Sequence, residues 1–275
     1  MTPMDRLFSN VPQLPSISSV VQALIASLDD EDANLRGMVA SIKQDQTLAA
    51  RVLRLANSSY YGASHKIGAI DDAVTLIGLD ALRTLVIASG VTSAFSRIEG
   101  IKLPGFWRHT LFTAALAREL GKMAGLNGEF AYTAGLMHRI GQLIIAMAFP
   151  SAAREIAYND HSISVTELAA AERRLLDLDH SEASAELAMR WNFPEVIRNA
   201  LRWYVTPLLE EACPYAGTVH LASQITLGIE RGLPEVSIIH AIDTRLAASL
   251  ALDEVDWVDV LSMTREMLYG EAVFA

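Results

Sequence analysis

Apolar residues in this chain recur at intervals of three and four, and most such runs are bracketed by a residue that starts or stops a helix. Val20, Val21, Leu24, Ile25 and Leu28 follow a Pro15-Ser16 start. Asn34 is placed to cap a helix carrying Leu35, Met38, Val39 and Ile42, and Asp45 one carrying Leu48, Val52, Leu53 and Leu55. That third run ends in a polar and aromatic stretch, Asn57, Ser58, Ser59, Tyr60 and Tyr61, before a turn glycine, Gly62. Asp71 and Asp72 open the next helix and Gly78 stops it; Asp80 caps a long apolar run through Leu82, Leu85, Val86 and Ile87. Strict alternation of apolar and polar residues, the mark of a half-buried strand, hardly occurs. The pattern predicts an all-α fold.

The first 96 residues read as an N-terminal bundle of short helices. Ser96 to Gly105, with Gly100, Pro104 and Gly105, reads as a junction. Beyond it the helices lengthen. One is predicted from Phe106 to Ala124, stopped by Gly125, and one from Glu129 to about Ala148 behind an Asn127 cap. Ser164 with Glu167, and Asp179 with Glu182, have capping-box spacing; Pro194 opens a helix to about Tyr204. Three further helices are predicted, over about Tyr215–Glu230, Glu235–Leu250 and Asp256–Leu268. This divides the chain into 1–96, 97–207 and a C-terminal helical extension, 208–275, packed on the middle part.

Composition narrows the function classes. The chain is 51% hydrophobic, which excludes a disordered chain, but its apolar stretches, such as Leu143 to Phe149, fall far short of the roughly 18 residues that span a bilayer. Met1 to Asn10 has no apolar signal-peptide core, and a single cysteine, Cys213, rules out an internal disulfide framework. A cytoplasmic location away from membranes is the expectation. With 32 acids against 22 bases the net charge is −10, and no basic cluster stands out to neutralise phosphates, which argues against nucleic acid as a partner. The short capped helices near 34–56 imitate a helix-turn-helix, but their residues have the pattern of a core. The acidic run Asp29 to Asp32 reads as a solvated loop that caps a helix, with calcium a poorer reading. No Gly-rich phosphate loop, G-x-S-x-G elbow or H-E-x-x-H motif is present.

Seven histidines remain, and three have informative surroundings. His109 follows Phe106, Trp107 and Arg108; His138 lies in Ala134-Gly135-Leu136-Met137-His138-Arg139-Ile140-Gly141; His180 opens a helix leading to Trp191, Asn192, Phe193 and Pro194. Together with Gln44 to Ser58 and Ala73 to Arg83, these stretches resemble, in order and spacing, the HDOD family, the HD-related output domains of bacterial signalling proteins. The resemblance covers about residues 12–207. It implies a short-helix bundle packed on an HD-like helical subdomain, and a distant relation to the HD metal-dependent phosphohydrolases.

In active members of that superfamily, a histidine, a His-Asp pair and a later aspartate hold the metal that activates water. By resemblance His109 and His138 match the two histidines, but Arg139 replaces the aspartate of the pair and Ser223, in Val219-His220-Leu221-Ala222-Ser223, replaces the later one. Gln142 stands where related hydrolases carry lysine, and Arg202, Trp203 and Tyr204 stand where a double-histidine segment is common. Two unit charges about 4 Å apart interact by about 4 kcal/mol at an effective dielectric near 20, so exchanging aspartate for arginine beside a divalent cation costs several decades of affinity. His109, His138 and His180 then form a degenerate remnant, with no catalytic residue and no metal or other cofactor expected.

The reading this favours is a non-catalytic signal-transduction module that binds signalling proteins, with a small anionic ligand at Arg139 as a variant. Asn57, Ser58, Tyr60, Tyr61, Trp107, Arg139 and Trp203 are the candidate binding surface or pocket, although Asn57 and Ser58 also suit a helix end and the aromatics also suit a core. The alternative is an HD-type phosphohydrolase acting on a nucleotide or cyclic dinucleotide.

Overall fold

The structure, a computed structural model, describes residues 1–28, 35–57, 67–156, 158 and 163–269. Ser58, Tyr60 and Tyr61 of the candidate surface, the acidic run from Asp29 and the Asn34 cap lie outside the described residues. The described residues are helical, with no strand among them.

The N-terminal elements are α1 (Pro3–Asn10), α2 (Ser19–Ala26), α3 (Leu35–Gln44), α4 (Gln46–Ala56), α5 (Ile70–Ile77) and α6 (Leu79–Ser93). The central ones are α7 (Leu103–Met123), α8 (Gly128–Met137), α9 (Ile140–Ala148), α10 (Pro150–Ile156), α11 (Val165–Leu176), α12 (His180–Arg190) and α13 (Glu195–Trp203). The extension holds α14 (Pro214–Glu230), α15 (Glu235–His240), α16 (Thr244–Ser249) and α17 (Trp257–Tyr269).

Local chemistry explains most boundaries. Ser164 with Glu167 and Asp179 with Glu182 form the predicted capping boxes of α11 and α12, and the Asp45 carboxylate accepts the Leu48 amide at 2.9 Å. Gly78 ends α5 with φ of 83°, a conformation that other residues rarely adopt. At the end of α7, Gly125 has φ of 70° and the Leu126 amide returns to the Gly121 carbonyl. Helix α1 carries a Thr2/Asp5 capping box that the periodicity did not single out.

Two predicted helices are broken. Asp243 caps a new helix, α16, where one helix from Glu235 to Leu250 was expected. The helix expected from Glu129 to Ala148 is interrupted at His138 and Arg139, at the very motif singled out in the sequence. Ser184 of α12 stabilises that break: its hydroxyl accepts the Gly141 amide at 2.8 Å and donates to the His138 carbonyl at 3.1 Å, satisfying groups that a continuous helix would pair internally.

One apolar cluster runs from Leu7 to Leu201, drawing on α1 to α13 and crossing from the first 96 residues into the next unit. A second joins α7 and α8 to the extension through Leu116, Leu120, Val219, Ile225, Leu246 and Leu261. Burying each such Leu, Ile or Val contributes about 1.5–3 kcal/mol. Helices α7 and α8 approach closely where Gly135 faces Ala114: a Cβ there would stand 2.7 Å from the Ala114 Cα. This contact brings His109 on α7 beside His138 at the end of α8.

Candidate functional site

Helices α7, α8, α11, α12, α13 and α14 converge on the three histidines. The rings of His109 and His138 lie 5.8 Å apart, both buried. His180 is also buried, but Tyr204, just beyond α13, stands between it and His138, with ring centroids 5.2 Å from His138 and 5.8 Å from His180. The three imidazoles thus share a neighbourhood without converging on one point. Among the described residues no group of three or more His, Cys, Asp or Glu side chains is arranged to hold a metal ion.

Each imidazole is engaged by protein. His109 Nδ1 lies 2.7 Å from the Glu230 carboxylate. His180 Nδ1 donates to Glu172 at 2.5 Å, and the same carboxylate oxygen accepts the His180 amide at 2.8 Å. With Nδ1 carrying the proton, the other nitrogen of His180 accepts from the Tyr204 hydroxyl. His138 Nδ1 donates to the Gly135 carbonyl at 2.5 Å, while its Nε2 is buried with no partner. Burial, then the nearby His109 and Arg139, hold the His138 pKa well below the usual histidine value, so the ring is neutral.

Arg139 lies in the helix break. Its Nε and one terminal nitrogen donate to Gln142 Oε1 at 3.2 and 3.0 Å, and its guanidinium carbon sits 5.6 Å from the Phe106 ring centroid. Among the described residues no carboxylate comes within ion-pairing distance of it. Burial lowers its pKa, partly offset by Tyr204 and by the more distant Glu230 and Glu172. A chamber of about 30 Å3 opens beside it, lined on its polar side by His109, Arg139, Gln142, Tyr158 and Ser223. Gln142 is fully buried and its amide nitrogen has no partner; the buried Tyr158 hydroxyl is turned to the Glu172 carboxylate, and burial together with that carboxylate raises its pKa well above the usual tyrosine value.

This donor set does not fit the divalent metal that the HD relationship implies. Both nitrogens of His180 are committed, the chamber that His109 lines carries Arg139 and Ser223 rather than carboxylates among its described residues, and His138 offers one free nitrogen.

Of the other candidates, Trp107 is buried rather than displayed. Its ring packs 5.0 Å from Phe106 and 6.2 Å from Phe95, which corrects its assignment to a binding surface: an indole on the inner face of α7 fills the core. Asn57 donates to the Leu53 and Ile67 carbonyls at 2.7 and 2.8 Å and accepts the Ile67 amide at 2.7 Å, so its amide is used to tie the end of α4 to Ile67. Trp203 lines an open cleft of about 540 Å3 between α1, α12 and α13, away from the histidines.

Sequence reasoning missed Glu172, Glu230, Tyr158 and Ser184. A signal existed for the first: Leu168, Glu172 and Leu176 form one stripe at intervals of four, which places a carboxylate on the buried face of α11.

Comparison with known proteins gives the class. The model of the HDOD domain matches residues 14–207, and the chain belongs to that family. Among solved structures, it is similar to a candidate phosphohydrolase from Shewanella amazonensis SB2B, with 30% identity, a TM-score of 0.78, and 95% of this chain and 94% of that one covered. It is also similar to an HDOD domain protein of unknown function from Geobacter sulfurreducens, with 25% identity, a TM-score of 0.71 and coverage of 96% and 97%. An uncharacterized protein of Treponema pallidum (strain Nichols) is 30% identical over 232 residues, 80% of this chain, and the match spans 42% of that relative's length. No helix among the described residues is long and apolar enough to cross a membrane.

Proposed function

We propose that this chain is a non-catalytic regulatory HDOD module that acts in the cytoplasm through contacts with signalling proteins. One observation carries the reading: Arg139, which by the resemblance matches the metal-bridging aspartate, is anchored by Gln142 at the chamber that His109 also lines. A cation would have to approach a guanidinium that, among the described residues, no carboxylate pairs directly, at a cost of several kcal/mol at about 4 Å. The commitments of His180 to Glu172 and Tyr204 add to it, because a metal at this ring would have to displace one of them.

The open cleft beside Trp203 is the protein-contact surface this reading favours. It is lined by Glu182 and Glu186 of α12 and by Glu195, Arg198 and Arg202 of α13, and such mixed charge suits selective rather than non-specific association. The competing reading, an HD-type phosphohydrolase, draws on the designation of the Shewanella relative, and the replaced carboxylates count against it. Metal analysis of protein purified without chelator, with a phosphodiester turnover assay in added manganese, separates the two. Substoichiometric metal and no turnover are expected; stoichiometric metal with turnover overturns the reading.

A further inference from the structure

The chamber beside Arg139 is not isolated. A second one, of about 170 Å3, adjoins it and shares Val165, Ser223 and Leu227 as walls. The outer chamber lies between the start of α11 and the α14–α15 pair and is mainly apolar, with Leu233 and Ile238 at its far end. Among the described residues neither chamber has an aspartate or glutamate in its lining, although the chain carries 32 acids; the formally charged side chains there are Arg139 and Arg231. Glu172 and Glu230 act on Arg139 from a distance, but they are bonded to His180 and His109 and neither lines a chamber.

Two groups converge on the inner chamber: the Arg139 guanidinium, held through two of its nitrogens by Gln142, and the Gln142 amide nitrogen, buried without a partner; the Tyr158 hydroxyl also lines it but is turned to Glu172. A buried donor left unpaired, as at the Gln142 amide, is costly. The inner chamber is narrow, and the outer one that adjoins it is mainly apolar, which suits an anion carrying a hydrocarbon tail. A carboxylate also meets a guanidinium in a planar, two-point contact.

We propose that the two chambers form one binding site for a small aliphatic monocarboxylate, with its carboxylate held by Arg139 and Gln142 and its hydrocarbon chain passing Ser223 into the outer chamber. The site gives the regulatory module a small-molecule input, and in that respect the inference rests on the non-catalytic reading.

Isothermal titration calorimetry of the whole chain with hexanoate, acetate, hexylammonium and inorganic phosphate tests it. Hexanoate is expected to bind more tightly than acetate or phosphate, which have no chain to fill the outer chamber, and hexylammonium not to bind. Arg139→Gln is expected to weaken hexanoate at least tenfold. Should that variant not fold, Val165→Phe, which narrows the passage between the chambers, is expected to weaken hexanoate while sparing acetate. Absence of hexanoate binding to the wild type, undiminished binding by Arg139→Gln, or a preference for phosphate overturns the inference. Manganese-dependent turnover of bis-p-nitrophenyl phosphate in the same preparation removes the regulatory reading instead, so the two failures are told apart.

Discussion

A methyl group on Gly141 would stand 2.1 Å from the carbonyl oxygen of His180, closer than any carbon and oxygen can approach without bonding. Helices α9 and α12 therefore touch backbone to backbone at the centre of the site, and the contact fixes where Arg139 and His180 stand relative to each other. Gly141→Ala must push the two helices apart, with backbone rather than a flexible side chain in the way. We expect a loss of about 3 kcal/mol or more, at the upper end for overpacking, read as a lowered urea midpoint with an unchanged slope.

Tyr204→Phe removes the hydroxyl that meets His180 and leaves a buried imidazole nitrogen unanswered. The expected loss is about 1–3 kcal/mol, with little change in packing because the ring remains. Chemical denaturation measures it. An unchanged midpoint would mean that water replaces the hydroxyl.

Trp107 and Trp203 should behave oppositely. Trp107→Ala opens a cavity among Phe95, Phe106 and their neighbours and is expected to cost about 3–5 kcal/mol. Trp203→Ala, in the open cleft, is expected to cost about 1 kcal/mol or less. Thermal unfolding of the two variants side by side decides it, and similar losses would contradict the assignment of Trp203 to a surface.

Acid should destabilise the fold in a defined window. Burial depresses the pKa values of His138 and His220 in the folded chain, so each ring takes up its proton in the unfolded chain first, near pH 6.5. The unfolded state then binds more protons than the native one below that pH, and stability falls as pH drops from about 7 towards 5. Each fully coupled histidine contributes up to about 1.4 kcal/mol per pH unit. Urea midpoints between pH 7.5 and 5 measure the slope, and His220→Gln is expected to reduce it.

Chelation should leave the protein unmoved. Because His180 is bonded at both nitrogens and Arg139 faces the pocket, the thermal midpoint is expected to be the same in EDTA as in manganese or zinc. Arg139→Asp alone is expected to give no hydrolysis, since Ser223 and the His180 bonds remain. A metal-dependent rise in the midpoint of the wild type would contradict the donor geometry.

The fold was legible because its instructions are local. Caps such as Asp45, Ser164 and Asp179, and stops such as Gly78 and Gly125, act within a few residues of themselves, and the apolar period needs no more than a helix turn of context. The break at His138 and Arg139 was not legible, since the group that stabilises it, Ser184, is more than forty residues away in sequence. The same distance effect divides the site. His109, His138 and Arg139 were found by motif, whereas Glu230 lies 121 residues from the histidine it meets. Trp107 was misread because an aromatic beside a motif looks the same in sequence whether it faces solvent or core.

Ser184 answers two main-chain groups of the interrupted helix with a single hydroxyl, while the Arg139 main chain gives the Gln142 amide a carbonyl that any residue would supply, and only its side chain is particular to it. The duties of scaffold and of chemistry are therefore held by different residues. A lineage could exchange the side chain at 139, trading one ligand preference for another, with no mechanical penalty, whereas position 184 has no such licence.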